Sequence, residues 1–202
     1  MEVLRHARHL PRAWRLLREG SHLALTGLMW IALTWAAPWS IGQEVSREYQ
    51  LKAVLLYNLT QFVEWPASAF PSPESPFIVC VVGPDPFGGA LDEAVRAERS
   101  NNRPIVIRRI NRIEEAADAQ VVFFGLARRN EVAEALKRVR GRSLLTVSDF
   151  DGFLSSGGTV RMASTPDRKI KLRVNLDSAK ASGLTMSAKL LRVCTIVQAG
   201  DE

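Results

Sequence analysis

Three short apolar runs separated by helical patterns constrain the fold most strongly. They are FIVCVV at residues 77–82, QVVFF at residues 120–124 and SLLTV at residues 143–147. A strand that is buried on both faces has a continuous apolar sequence, as these runs do. Helical patterns at residues 90–96 and 131–138 lie between the runs, and a further strand is predicted at residues 104–108. Alternating strands and helices predict an α/β fold with a mostly parallel sheet and helices on both faces.

The C-terminal third has a different pattern. In KIKLRVN at residues 169–175, apolar side chains alternate with Lys and Arg, which is typical of a half-solvated antiparallel strand. A turn-rich link joins this strand to another at residues 159–163, and helical segments follow at residues 176–181 and 187–193. We therefore expect a single domain whose mixed sheet contains an antiparallel C-terminal hairpin.

A helix is predicted ahead of the first buried strand, at residues 46–62. It ends near Trp65-Pro66, where the chain must turn. Its apolar side chains follow a helical stripe, interrupted once by Asn58. The members of the stripe are Leu51, Val54, Leu55 and Phe62.

Residues 1–42 have the order of a secretory signal segment. An arginine-rich stretch precedes the apolar run LALTGLMWIALTWAAPW, and small residues follow at Ser40 and Gly42. Cleavage near residue 42 or after Ala36 would release a domain of about residues 43–202 outside the cytoplasm. The alternative is an uncleaved membrane anchor, although the run is slightly short for a span and contains Pro38.

The charge distribution argues against a nucleic-acid-binding protein. The net charge is +6, but half of that excess lies in residues 1–42. All three histidines lie there as well, so the remaining domain cannot use a Ser-His-Asp or Cys-His mechanism and lacks the commonest zinc ligand. We expect no enzymatic activity, no catalytic or metal-binding residues and no cofactor.

Two features leave alternatives open. Cys80 and Cys194 could form a disulfide in an oxidising compartment, or remain two separately buried thiols. The glycine-bounded turn at residues 83–89 could hold an anion at the start of a helix, but it lacks the Lys-Ser/Thr pair of a P-loop, and a tight strand-to-helix turn is the simpler interpretation.

Three aromatic residues are candidate partner contacts. Trp65 either covers the end of the core or anchors a partner, and the position before Pro66 favours the core role. Phe87 and Phe153 lie near loops, beside charged residues, where exposed aromatic side chains would suit a protein interface.

An ordered set of motifs resembles the YfiR-like family of periplasmic proteins over about residues 47–197. The resemblance begins with YQLKA at residues 49–53 and FVEWP at residues 62–66, and continues with CVVG at residues 80–83 and DPFG at residues 85–88. It is completed by RPIV (103–106), LTVS (145–148), GG (157–158), VNL (174–176), Ala179, GL (183–184) and SAKLL (187–191).

The resemblance implies a small periplasmic α/β regulator that binds a membrane-anchored diguanylate cyclase of the YfiN type and holds it inactive, lowering cyclic di-GMP. It also implies that an outer-membrane lipoprotein can relieve the inhibition, and it leaves a homodimer open. Well-studied members have two disulfides from four cysteines; Cys80 matches one of those positions and Cys194 does not. The alternative function is a periplasmic sensor that binds a small molecule at the turn of residues 83–88 or the adjacent helix end.

Overall fold

The computed structural model describes residues 46–126 and 128–198. The predicted secretory segment at residues 1–42 lies outside the described residues. The five described α-helices are α1 (Arg47–Phe62), α2 (Ala90–Ala94), α3 (Arg129–Val139), α4 (Leu176–Ala181) and α5 (Ala188–Val193). Short 3-10 helices occur at Ala67–Ala69 and Ile113–Ala116.

The described strands form one eight-stranded sheet and one two-stranded ladder. The strands are β1 (Val63–Glu64), β2 (Phe77–Val82), β3 (Arg99–Ser100), β4 (Arg103–Ile110), β5 (Val121–Phe124), β6 (Leu145–Ser148), β7 (Val160–Ser164), β8 (Ile170–Asn175), β9 (Thr185–Met186) and β10 (Cys194–Val197). The larger sheet has the order β10-β8-β7-β6-β5-β2-β4-β3, and the ladder pairs β1 with β9.

The strand directions confirm the predicted mixed, mostly parallel sheet. Strands β4, β2, β5, β6 and β7 run in the same direction, and β8 is antiparallel to β7. The β7–β8 pair is the hairpin expected from the alternating sequence. At the edge beyond it, β10 runs parallel to β8.

Apolar side chains on the two faces of the sheet form two clusters. One cluster packs α1, α2, α4 and α5 against alternate residues of the central strands, such as Val79, Val81 and Phe123. The other packs α3 and the second 3-10 helix against the intervening residues, such as Cys80, Val82 and Phe124. The side chains alternate between the faces because successive residues of a strand point to opposite sides. The two clusters confirm that helices cover both faces.

Candidate functional site

Lys52 is a buried charge on α1. Its side chain is 2% exposed, and its Nζ lies 2.6 Å from Glu48 Oε1 and 2.7 Å from Asp149 Oδ2. The hydroxyl of Tyr49 donates to the same Asp149 oxygen over 2.8 Å, and the ammonium stands 4.6 Å from the centre of the Tyr49 ring. These contacts compensate the cost of removing the ammonium from water. The helix can therefore turn its Lys52 side toward the sheet.

The ion cluster also shifts the titration of its members. The hydrogen bond from Lys52 holds the pKa of the Glu48 carboxyl below its usual range. Burial and the neighbouring Asp149 carboxylate raise the pKa of the Tyr49 hydroxyl above its usual range. Both pKa values are displaced away from neutral pH, so Glu48 stays ionised and Tyr49 stays protonated. The cluster orients α1 and offers no proton exchange by these two groups near pH 7.

The orientation of α1 leaves most of its apolar stripe on the surface. An apolar stripe ordinarily faces the core. Here Leu51 is 47% exposed, Val54 45% and Phe62 36%, whereas the buried positions include Lys52 and Thr60. The sequence contained this stripe, but not the information that it faces solvent.

The exposed apolar surface continues onto α5 and β10. Val193, in the last turn of α5, is 73% exposed, and Ile196 of the edge strand β10 is 52% exposed. Between α1 and α5 lies an apolar groove of about 260 Å³. It is lined by Leu55, Asn58, Leu59, Phe62, Leu172, Lys189, Leu190 and Val193. We call the exposed side chains of Leu51, Val54, Phe62, Val193 and Ile196, together with the half-buried Leu55, the apolar strip.

Backbone pairing holds the two helices of the groove together. Directly after α1, Val63 and Glu64 pair with Met186 and Thr185 in the β1–β9 ladder. Ser187 then donates its backbone N–H to the carbonyl oxygen of Phe62 over 2.9 Å, and its hydroxyl accepts from the backbone of Leu190 to cap α5. The groove therefore lies between elements that are already hydrogen-bonded to each other.

Basic residues border the apolar strip. Arg47, Arg168 and Lys169 line a hollow of about 870 Å³ beside Leu51 and Val54, and Lys189 lies in the groove. The acid of this hollow, Glu48, already binds Lys52 and the hydroxyl of Ser164. Lys169 is paired with Asp167 over 2.7 Å, so Arg47 and Arg168 are the cations of the hollow that the described contacts leave without an acidic partner. A partner with an apolar centre and an acidic rim would match this surface.

The sequence pattern of the YfiR/HmsC-like family matches residues 49–195, which include Tyr49, Lys52 and Asp149 of the ion cluster and all of the strip except Ile196. The chain belongs to the YfiR/HmsC-like family. Membership indicates a regulator of diguanylate cyclase signalling. No curated protein matches the chain.

In this YfiR/HmsC-like domain, Trp65 covers one end of the core. The indole packs edge-on against Phe77 with the ring centres 4.9 Å apart, and its Nε1–H donates to the carbonyl oxygen of Gln120 over 3.1 Å. The Gln120 side chain in turn accepts from the backbone of Ile78 and donates to the carbonyl oxygen of Ala69. Trp65 is half-buried, and these contacts give it a structural role.

Phe87 and Phe153 correct the prediction that loop aromatics form the contact surface. Both side chains are fully buried. Phe87 packs between Tyr49 and Phe123, with its ring centre 4.6 Å from that of Phe123. Phe153 packs on Phe124 and fills the space above Gly158. The loops fold back over the sheet edges, so neither ring is available to a partner.

Cys80 and Cys194 are both free thiols. Cys80 lies on β2 and Cys194 on β10, with four strands between them. Five strand spacings amount to about 24 Å, whereas a disulfide needs Cα atoms within about 7 Å. Burial raises the pKa of Cys80 and raises the pKa of Cys194 to about 11. The two cysteines are therefore separate thiols, and both stay protonated near neutral pH.

The turn after β2 is occupied by its own contacts. Asp85 accepts from the backbone of Phe87, and Arg109 binds Asp85 together with the carbonyl oxygen of Gly88. A methyl group added at Gly125 would lie 2.0 Å from the carbonyl oxygen of Pro84, so the loops after β2 and β5 are in direct contact. The strand-to-helix turn is therefore closely packed, as the simpler interpretation expected.

The described residues contain neither a metal site nor a membrane-spanning helix. No group of three or more His, Cys, Asp or Glu side chains among the described residues is placed to hold a metal ion. No helix in residues 46–126 and 128–198 is long and apolar enough to cross a membrane.

Proposed function

We propose that the protein is a non-enzymatic periplasmic regulator that binds the periplasmic part of a membrane-anchored diguanylate cyclase and holds the cyclase inactive. Family membership supports the class of partner. The apolar strip is the observation that supports binding by direct contact, because five large apolar side chains are at least one-third exposed along one face.

The proposed mechanism is a population shift. A periplasmic protein cannot touch a cytoplasmic active site, so it must bind the external part of the cyclase more tightly in the inactive state than in the active state. A hundredfold bias requires a difference of about 2.7 kcal/mol in binding free energy. Full burial of one large apolar side chain contributes about 1.5–3 kcal/mol. One or two strip residues that are buried only against the inactive state are therefore sufficient.

The proposed contact surface combines the groove and its basic border. Phe62 and Val193 stand on opposite sides of the groove, so an apolar side chain of the cyclase can insert between them. Lys189 and the cations beside Leu51 would meet acidic residues at the rim of the interface. Release by an outer-membrane lipoprotein requires only that the lipoprotein compete for this surface or favour another state of the complex.

The test uses a gene deletion and strip variants. Deletion should raise cellular cyclic di-GMP and surface attachment, and the wild-type gene should restore both. Phe62→Ser and Val193→Ser should fail to restore them while the protein accumulates normally. Val106→Ser is the matched control, because Val106 is a 39% exposed apolar residue on β4, outside the strip, and this variant should restore both.

Two results would contradict the proposal. One is a deletion and an overexpression that both leave cyclic di-GMP unchanged. The other is full complementation by the strip variants. In that case the protein would still be a regulator, but the apolar strip would not be its contact surface. Cross-linking from position 193 in cells should recover an inner-membrane protein with a cyclase domain.

A further inference from the structure

A further cavity, of about 550 Å³, is bounded by α3, α4 and the loop that precedes β7. Its volume is in the range of small-molecule sites. None of its lining residues belongs to the apolar strip.

The cavity has an apolar wall and a polar end. The buried side chains of Leu136, Val139, Leu144 and Leu154 form the wall. Hydroxyl groups of Ser178 and Ser182 lie on one side of α4, and Thr146 and Thr159 are hydrogen-bonded to each other across β6 and β7. An amphipathic molecule would match this arrangement of an apolar wall and a polar end.

Asn175 brings an unused donor to the polar end. The residue is 3% exposed, and its Oδ1 accepts from the backbone N–H of Ser178 over 3.0 Å. That bond identifies which branch of the side-chain amide is the oxygen, so the other branch is the NH₂ group. Within residues 46–126 and 128–198 the Nδ2 atom has no hydrogen-bond partner, and it is not completely enclosed by protein atoms. Asn175 lines the cavity, so this is the space that its free N–H groups can reach.

One cation at the cavity has no acidic partner among the described residues. Lys137 and Arg140 lie at the end of α3, and Asp177 lies at the start of α4. Lys137 is bound to Glu134 over 2.7 Å. No acid of the described residues is within ion-pair distance of Arg140, so this guanidinium is available to a ligand.

We infer that this cavity binds a small organic carboxylate with an apolar body. The carboxylate oxygens accept from Asn175 Nδ2 and are attracted by Arg140, and the apolar body lies against the leucine wall. The inference is independent of the cyclase proposal, because the binding test needs only the purified protein.

The test titrates the ¹⁵N-labelled protein with sodium octanoate and follows the amide resonances. Octanoate should shift the side-chain NH₂ pair of Asn175 and the backbone amides of Leu154 and Ser178. Octylamine, which has the same apolar chain and the opposite charge, should leave these resonances in place.

Three variants make the test specific. Asn175→Asp keeps the helix cap, since a carboxylate accepts the same bond from Ser178, but it removes the donor and repels an anion. Its Kd for octanoate should be at least about tenfold weaker. Arg140→Gln changes an exposed side chain without disturbing the fold and should weaken binding about threefold or more, whereas Asp177→Asn should strengthen it.

Several outcomes would overturn the inference. They are unchanged affinity in both Asn175→Asp and Arg140→Gln, equal shifts with octylamine, shifts confined to the apolar strip, and no shift up to about 10 mM octanoate. Selective loss of octanoate binding in the two variants would support it.

Discussion

Lys52→Met tests whether the buried ion cluster determines which face of α1 meets the sheet. The variant keeps an unbranched side chain but removes the ammonium. Asp149, whose side chain is 24% exposed, then keeps one of its two hydrogen-bonded partners, and Glu48 loses its ion pair. Breaking a fully buried pair costs about 3–5 kcal/mol. Because both carboxylates retain some contact with water, we expect a loss of about 2–3 kcal/mol in the free energy of unfolding.

That loss should be measured by urea unfolding and by the melting temperature. For a domain of this size, 1 kcal/mol corresponds to about 2–4 °C, so the expected decrease is about 4–12 °C. Lys189→Met on α5 is the matched control, because Lys189 is exposed, and its effect should stay within about 0.5 kcal/mol.

A double variant separates the charge from the packing. Lys52→Met with Asp149→Asn removes both charges and leaves an amide that can still accept from Tyr49. It should be more stable than the sum of the two single variants by about 1 kcal/mol or more. Our reasoning is refuted if Lys52→Met unfolds within about 0.5 kcal/mol of the wild type, or if the two substitutions are additive.

Three further predictions concern packing and thiols. Trp65→Ala should lower the free energy of unfolding by about 2–3 kcal/mol, since the indole is half-buried, and an unchanged melting temperature would contradict its structural role. Gly125→Ala places a methyl group against a backbone oxygen and should lower the free energy of unfolding by about 3 kcal/mol or more. Gly89→Ala is the control, because there is open space at Gly89, and it should lower the free energy of unfolding by less than about 1 kcal/mol. Similar melting temperatures for the two variants would contradict the loop contact. Dithiothreitol should not change the melting temperature, and the unfolded, unreduced protein should titrate two thiols for Cys80 and Cys194; one or no thiol would contradict the free-cysteine arrangement.

The sequence predicted the larger elements because their signals are local. The apolar run of β2, the alternating pattern of β8 and the helical stripe of α1 each lie within one segment. The two-residue strands β1, β3 and β9 were missed, because such short segments are defined by their partners and not by a pattern of their own. The edge strand β10, which begins directly after the helix predicted at residues 187–193, was missed as well, because a short apolar run does not distinguish a strand from a helix.

The exposure of the apolar stripe of α1 could not be predicted from sequence, because it depends on contacts with distant parts of the chain. Lys52 and Asp149 are 97 positions apart, and their contact, together with the burial of Ala53, Leu56 and Leu59, leaves the apolar stripe of α1 facing solvent. Phe87 and Phe153 were expected on the surface because charged residues lie nearby in sequence. Their loops fold over the sheet, and burial of a large ring outweighs the preference of its neighbours for water.

Reconstitution with a cyclase tests the central claim most directly. A membrane-anchored diguanylate cyclase of the YfiN type from the same organism would be placed in lipid nanodiscs, where both sides are accessible. The rate of cyclic di-GMP synthesis would then be measured with increasing amounts of the wild-type protein, Val193→Ser and Val106→Ser. We predict that the wild type and Val106→Ser lower the rate saturably and that Val193→Ser does so only at much higher concentration. A rate that is unchanged by the wild-type protein at saturating concentration would contradict the claim that this protein holds such a cyclase inactive.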